Sequence, residues 1–297
     1  SRILWGDGAA AESILQTYHQ NIGATTPIAL LHVDPARPQN AQQHTLEEMQ
    51  PRLDYLLASW APFLAKDPAL ILDLSPRLSD AQRMEVDNIV SAIWNEIPRT
   101  WQWMTQGRGR IDRLSLWVGA VADSNPRRLA RLSPNGELSL LVGTPEDSVV
   151  GEPQIEVGNH LTIVDPSLIA SGLTETWRKL AVKDGSSDWI KLTGRRPIFV
   201  SSESPSNINE VRDFIQVSGE IVETAPEVSF ETLSILAAIA NAADLSNLKL
   251  RCRIDPDLQP KLQSALDREV RQFESASAAS QGFITEIGEG YVICRQA

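Results

Sequence analysis

Ile28-Ala29-Leu30-Leu31-His32-Val33-Asp34-Pro35-Ala36-Arg37-Pro38 is an apolar run that stops on a carboxylate and two prolines. Continuous apolar residues over this length suit a strand buried on both faces of a sheet. Proline ends the run because it has no N–H to give the ladder and fixes its own φ. A second such run, Ala69 to Leu74, follows a segment that reads as helical from Leu46 to Leu64, where Glu47-Glu48 and Arg52 suit an exposed face. Upstream, Ala9 to Gln20 reads as a helix with Ile14, Leu15 and Tyr18 on one face, and Ile3-Leu4-Trp5 as a short strand ended by Gly6-Asp7-Gly8. Downstream, Ser79 to Ile97 reads as a helix, and Thr100 to Met104 and Arg113 to Val118 read as strands. Strands alternating with helices predict an α/β domain over residues 1–123, built on a mainly parallel sheet covered on both faces.

The texture changes after Asp123. Pro134-Asn135-Gly136 between two apolar stretches predicts a hairpin, and Pro145 to Val157 reads as surface connection. Pro166 to Leu180 reads as a helix with Asp165 as N-cap and Pro166 at its first position. Residues 124–200 are therefore read as a connecting hairpin and helix region. Beyond the polar stretch Ser201 to Asn209 the order is strand (Phe214–Glu223), helix (Ser229–Ala243), strand (Leu248–Ile254), helix (Asp257–Glu274) and a hairpin (Phe283–Cys294) turned at Gly288-Glu289-Gly290. This βαβαββ order predicts a small, separate α+β domain over residues 201–297.

Length and composition suit ordinary globular domains: 297 residues, 42% hydrophobic and 22% charged. No apolar run approaches the roughly 20 residues of a membrane helix, and no signal-peptide pattern opens the chain. Cys252 and Cys294 lie far apart in apolar segments and read as buried thiols of a reducing compartment, so a cytoplasmic protein is expected. His19, His32, His44 and His160 form no metal-ligand spacing with each other or the cysteines, so no metal is expected. A net charge of −11 argues against a protein that coats nucleic acid non-specifically, but leaves room for a local basic patch.

Ligands of parallel sheets bind at the carboxyl ends of the strands. Gly6-Asp7 and Asp34-Pro35-Ala36-Arg37 stand at two such ends. A carboxylate there accepts from an amino or hydroxyl group, and Asp-Pro holds a carboxylate and a carbonyl in fixed directions. Each is also a common turn dipeptide, so the residues alone leave the turn reading open.

Leu31-His32-Val33-Asp34-Pro35-Ala36-Arg37 resembles the (F/Y)-(V/I)-D-P-A-R-R signature of S-adenosylmethionine-dependent methyltransferase-like proteins with a THUMP-like C-terminal domain. Further similarities follow in order. Leu70–Pro76 resembles that family's K-L-S-P strand, and Leu114–Gly119 its V-L-W-L-G strand. Asp165-Pro166 with Ile169–Leu173 is similar to D-P-A-V-I-R-A-G-L, and Leu192–Pro197 to L-T-G-D-R-P. Leu248–Leu262 is similar to a stretch of the end domain.

The resemblance implies the C-terminal half of a Rossmann-like class I methyltransferase sheet followed by a THUMP-like domain. S-adenosylmethionine is the implied cofactor. Gly6 and Asp7 fall where such enzymes contact its adenine. Asp34 and Pro35 fall where amino-methylating relatives hold the target amine, which is catalysis by orientation. Ala36-Arg37 departs from the second proline and stacking aromatic of those relatives. The glycine-rich turn and the ribose carboxylate are absent from these residues, and Gly107-Arg108-Gly109 and Gly288-Glu289-Gly290 do not replace them. The chain reads as beginning partway through the sheet, and by itself is expected to hold the cofactor poorly. Its N-terminal edge strand is then expected to seek a partner, through self-association.

The implied substrate is RNA. Lys249, Arg251 and Arg253 alternate along one expected strand and so share a face, with Arg195-Arg196 in a preceding loop. The same pattern suits a solvated face or cations paired with nearby carboxylates. Trp94, Trp101 and Trp103 suit base stacking or burial beneath a helix. The alternative to an enzyme is a non-catalytic RNA- or protein-binding module on a degenerate methyltransferase fold.

Overall fold

The computed structural model describes residues 6–22, 27–36, 46–151, 155–273 and 280–297. The expected strand Ile3-Leu4-Trp5, its edge contact, and Arg37 lie outside the described residues. The chain divides into two compact units, Ser1–Gln106 with Ile111–Pro145, and Gly107–Arg110 with Glu146–Ala297.

In the first unit, helix α1 (Ala11–Ile22) precedes strand β1 (Leu31–Val33). The chain crosses through α2 (Leu53–Trp60) to β2 (Ala69–Leu74), then through α3 (Asp80–Ile93) to β3 (Arg99–Thr105). It returns as β4 (Arg113–Gly119) and ends in a hairpin, β5 (Arg127–Leu132) and β6 (Leu138–Gly143). The helix expected over 46–64 is confined to α2. The backbone before Pro51 cannot adopt helical geometry easily, and Pro62 sits in a 3-10 turn beyond. Helix α3 starts where Ser79 and Gln82 close a capping box, each side chain serving the other's backbone N–H.

The six-stranded sheet has the order β1-β2-β4-β3-β5-β6. It is mixed, which corrects the mainly parallel expectation. β1 and β2 pair parallel, as do β3 and β5, whereas β4 pairs antiparallel with both β2 and β3, and β6 antiparallel with β5. The pairings make β1, β2, β3 and β5 share one direction. The physical reason is connection length: parallel pairing needs a crossover of about a dozen residues or more, and the loop from Thr105 to Arg113 is too short for one. The sheet's two faces also differ. Leu70, Leu72, Leu114, Leu116, Trp101, Trp103, Leu129 and Leu141 are buried and alternate along their strands with a more polar set. Burial of Trp101 and Trp103 favours packing over base stacking; Trp94 is half-buried.

The second unit holds a seven-stranded sheet of order β11-β12-β13-β10-β7-β9-β8. Strand β7 (His160–Val164) leads through α4 (Pro166–Ser171) and α5 (Thr174–Ala181) to β8 (Ser187–Lys191) and β9 (Ile198–Ser201). The single helix expected over 166–180 is split because Gly172 takes a left-handed φ of 72°. Asp165 caps α4 as expected, accepting from Ser167 N at 2.9 Å. A short α6 (Asn209–Arg212) reaches β10 (Ile215–Ala225). With β7 paired to both β9 and β10, these strands form a split β-α-β unit.

Then follow α7 (Leu233–Ala242), β11 (Leu245–Leu250), α8 (Gln259–Gln272), β12 (Ser280–Ile287) and β13 (Gly290–Gln296). This is the βαβαββ order read from the sequence, but it is not separate: β10 pairs with β7 on one side and β13 on the other. The division at residue 200 therefore gives way to a sheet that continues back to His160, and the 127–143 hairpin belongs to the first unit's sheet. Leu236, Ala240, Leu262 and Leu266 of α7 and α8 pack on Leu248, Leu250, Ile284 and Ile293. Trp177, Trp189 and Phe199 cluster in the other half, with ring centroids 5.0 to 5.7 Å apart. Burial pushes the Cys252 thiol up to about 11 and raises that of Cys294 further. No helix among the described residues is long and apolar enough to cross a membrane.

Gly219 sits where β10 has neighbours on both sides, and a Cβ there would stand 2.3 Å from the carbonyl oxygen of Arg295. Gly219→Ala is expected to cost about 1–3 kcal/mol by forcing strands apart, read as a lower urea midpoint at unchanged slope. A midpoint equal to wild type would show that the strands yield freely.

Candidate functional site

The carboxyl end of β1 carries Asp34-Pro35. Val33 and Pro35 are buried and Asp34 between them is exposed. The turn is held from behind, where Gln50 N donates to Ala36 O at 3.1 Å. The Asp34 carboxylate therefore projects to solvent from a stiff support, and no described residue bonds to it. By strand alternation Asp34 follows the parity of His32, on the sheet face opposite the α3 side.

Gly6-Asp7 is used differently. The Asp7 carboxylate accepts from Ala9 N at 3.0 Å and its carbonyl from Ala10 N at 2.9 Å, so it starts α1. Ser59 Oγ donates to Ala9 O at 2.5 Å and Trp60 Nε1 to Gly8 O at 2.7 Å, which docks the turn on the C-terminal end of α2. That end of α2 leads into the amino end of β2, whereas Asp34 follows the carboxyl end of β1. Among the described residues no bond joins Asp7 to Asp34 or Pro35. The structure does not bring these expected site residues together.

What it does bring together on the face of His32 is a polar row. Asp73 of β2 lies opposite Ser115 of β4, Ser115 opposite Gln102 of β3, and Gln102 opposite Arg128 of β5. Asp73 Oδ2 meets His32 Nε2 at 3.0 Å and accepts from Arg113 Nη1 at 3.2 Å. Gln102 Oε1 accepts from Arg128 Nε at 2.6 Å. The Arg128 guanidinium lies 4.3 Å over the Trp117 ring, and Trp117 Nε1 donates to Ser115 Oγ at 3.0 Å. Burial presses Arg128 toward losing its charge, with Asp123 opposing. His32 is 55% exposed and Asp73 16%, so the row is sealed at its middle and open at its β1 end. Gln102 and Ser115 are buried, so the row meets solvent at its His32 end, on the parity of Asp34. The signal for it was the set of polar residues interrupting apolar strands, Asp73, Gln102 and Ser115, which a reading of those strands as continuous apolar runs passes over.

In the second unit, β11 ends at Leu250, so of the three cations expected on this strand Lys249 alone is in regular pairing. Arg251 N nevertheless donates to Ile284 O at 2.8 Å and Thr285 Oγ1 to Arg251 O at 3.3 Å, and these bonds carry the extended chain on beside β12. Leu248, Leu250 and Cys252 are buried, while Lys249, Arg251 and Arg253 are exposed. Lys249 faces Asp267 at 3.8 Å; Arg253 N donates to Glu286 Oε2 at 3.4 Å, but the Arg251 and Arg253 guanidinium groups have no carboxylate partner among the described residues. Arg196 donates to the Cys252 carbonyl and so braces the backbone, and Arg195 is exposed. The carboxylate-paired alternative therefore describes Lys249 but not the two arginines.

Among the described residues no group of three or more His, Cys, Asp and Glu side chains is arranged to hold a metal ion. No family model, curated protein or solved structure matches this chain.

Gln102 is the acceptor that a half-buried Arg128 depends on. Gln102→Leu leaves that guanidinium nitrogen without its partner and is expected to cost about 1–3 kcal/mol, measured by urea denaturation. A neutral result would mean that Arg128 finds water, and that the row is looser than its distances imply.

Proposed function

We propose that the first unit is the closing half of a Rossmann-like methyltransferase sheet and that this protein transfers a methyl group from S-adenosylmethionine to RNA. The observation that carries this reading is the run β1-α2-β2-α3-β3. Its strands share one direction and are joined by helical crossovers, as in half of a doubly wound sheet, and Asp34-Pro35 follows the first strand directly. In such sheets the crevice beyond the carboxyl ends receives the ligand.

In this role Asp34 accepts from the acceptor amine and the Pro35 carbonyl accepts from its second hydrogen, which aims the nitrogen lone pair at the methyl group. The solvent-facing carboxylate on a buried proline supports that assignment. Asp7, by contrast, commits Oδ1 to starting α1, which leaves its second oxygen for an adenine contact.

Two measurements test the reading. The first follows transfer of labelled methyl from S-adenosylmethionine to RNA by the protein at its natural length. Asp34→Ala is expected to lower the rate about 100-fold by releasing the acceptor from its aligned pose, and Asp34→Asn, which keeps a side-chain oxygen, to lower it less. Equal rates for wild type and Asp34→Ala, or no transfer to any RNA, would overturn it.

The second concerns the RNA part, favoured by exposed Lys249, Arg251 and Arg253. Replacing Arg251 and Arg253 by alanine is expected to weaken single-stranded RNA binding about equally across sequences. Each lost contact lowers the salt slope by roughly 0.7. The fold should persist, since surface changes cost within about 0.5 kcal/mol. An absence of RNA binding by the wild-type chain even at low salt counts against RNA as the partner.

A further inference from the structure

Trp103 of β3 is fully buried, and its Nε1 donor has no acceptor among the described residues. Arg83 of α3 and Arg127 of β5 lie over its ring, with guanidinium carbons 5.5 and 5.0 Å from the centroid. Arg83 Nε and Arg127 Nη1 are buried donors and also lack an acceptor. Two guanidinium groups from two elements thus lie over one indole, and they and the indole's own N–H each keep a buried donor with no hydrogen-bond acceptor among the described residues.

The neighbouring charges are already committed. Asp80 accepts from Arg83 Nη2, and the Leu78 carbonyl from Arg83 Nη1 at 2.7 Å, which leaves Nε over. Asp87 accepts from Trp101 Nε1 at 3.2 Å and faces Arg99 at 3.6 Å. Arg99 also donates to the Asp87 carbonyl and Ser91 Oγ. Two carboxylates thus stand against three guanidinium groups, and among the described residues Arg127 has no counter-ion in contact. Burial, with repulsion from Arg83, presses it toward losing its proton, against the pull of Asp87 and Asp80.

We propose that Arg83, Arg127 and Trp103 form a binding site for one tetrahedral oxyanion of the phosphate class, free or as a phosphate monoester. A tetrahedral anion offers several acceptor oxygens in divergent directions, which suits N–H groups approaching from different sides, and guanidinium groups bind such oxygens through charge-assisted hydrogen bonds. The Arg83 side chain is 14% exposed while the three donor atoms themselves are buried, so an anion reaches them as the Arg83 side chain gives way. The site lies on the α3 side of the sheet, opposite the face of His32 and Asp34, so it is separate from the proposed methyl-acceptor position.

The test is thermal unfolding of the whole chain in phosphate and in chloride at matched ionic strength, with titration calorimetry. Phosphate is expected to raise Tm in a saturable way that chloride does not. Arg127→Gln and Arg83→Gln should each weaken binding about tenfold or more through loss of a charge-assisted hydrogen bond. Equal stabilisation by phosphate and chloride, or an unchanged phosphate response in these folded variants, overturns the site. Should Arg127→Gln fail to fold, Arg127→Lys keeps the charge without the planar fork, and its binding phosphate as tightly as wild type would overturn the site equally. A second arm with adenosine monophosphate separates the sources. Binding that depends on Arg127 identifies a monoester, whereas binding of inorganic phosphate alone identifies the free ion.

Discussion

The length of the connection between β3 and β4 governs the first unit. Thr105 ends one strand and Arg113 begins the next, too close for a crossover, so the chain can only fold back antiparallel. It does so in the space between β2 and β3, which the α3 crossover had left one strand apart. From that insertion follow the mixed order of the sheet and the placing of Ser115 between Asp73 on one side and Gln102 on the other. Without β4 there, the polar row would be broken at its centre.

A comparable constraint acts in the second unit through β10. At 11 residues it is long enough to pair with β7 along its first half and β13 along its second, with a register shift in each ladder. Sharing one strand makes a split β-α-β unit and a βαβαββ unit into one sheet. Val217 and Ile221 pack into one core, and past the register shift after Ile221 the strand turns Val222 and Ala225 to the other. Gly219 satisfies the close approach of the Arg295 carbonyl, which a side chain would block.

The two faces of the first sheet divide the chemistry. Toward α3, Leu70, Leu72, Leu116 and Leu129 make an apolar layer in which Arg83 and Arg127 stack on Trp103. On the other face His32, Asp73, Gln102 and Arg128 bond to one another across strands. Cations thus concentrate locally in a chain of net charge −11. The same holds at Arg251 and Arg253, whose backbone is fixed to β12 while their side chains stay in solvent. Local placement, rather than total charge, decides what such groups can meet.

By itself the sequence determined the elements that depend on near neighbours. Apolar runs became β1 and β2, the Ser79 and Asp165 caps started α3 and α4, and Pro134-Asn135-Gly136 turned the β5–β6 hairpin. The alternation of Leu248, Leu250 and Cys252 with Lys249, Arg251 and Arg253 also carried over into burial, because a period of two survives even past the last regular pair. Tertiary structure alone decided which strands became neighbours. Asp73, Gln102 and Arg128 read singly as polar interruptions, and only strand register makes them one row. Asp7 read as a ligand contact, yet the fold uses it to start α1 against α2. Hydrogen bonds between residues dozens of positions apart leave no local pattern, since any polar residue at the right parity satisfies the strand that bears it.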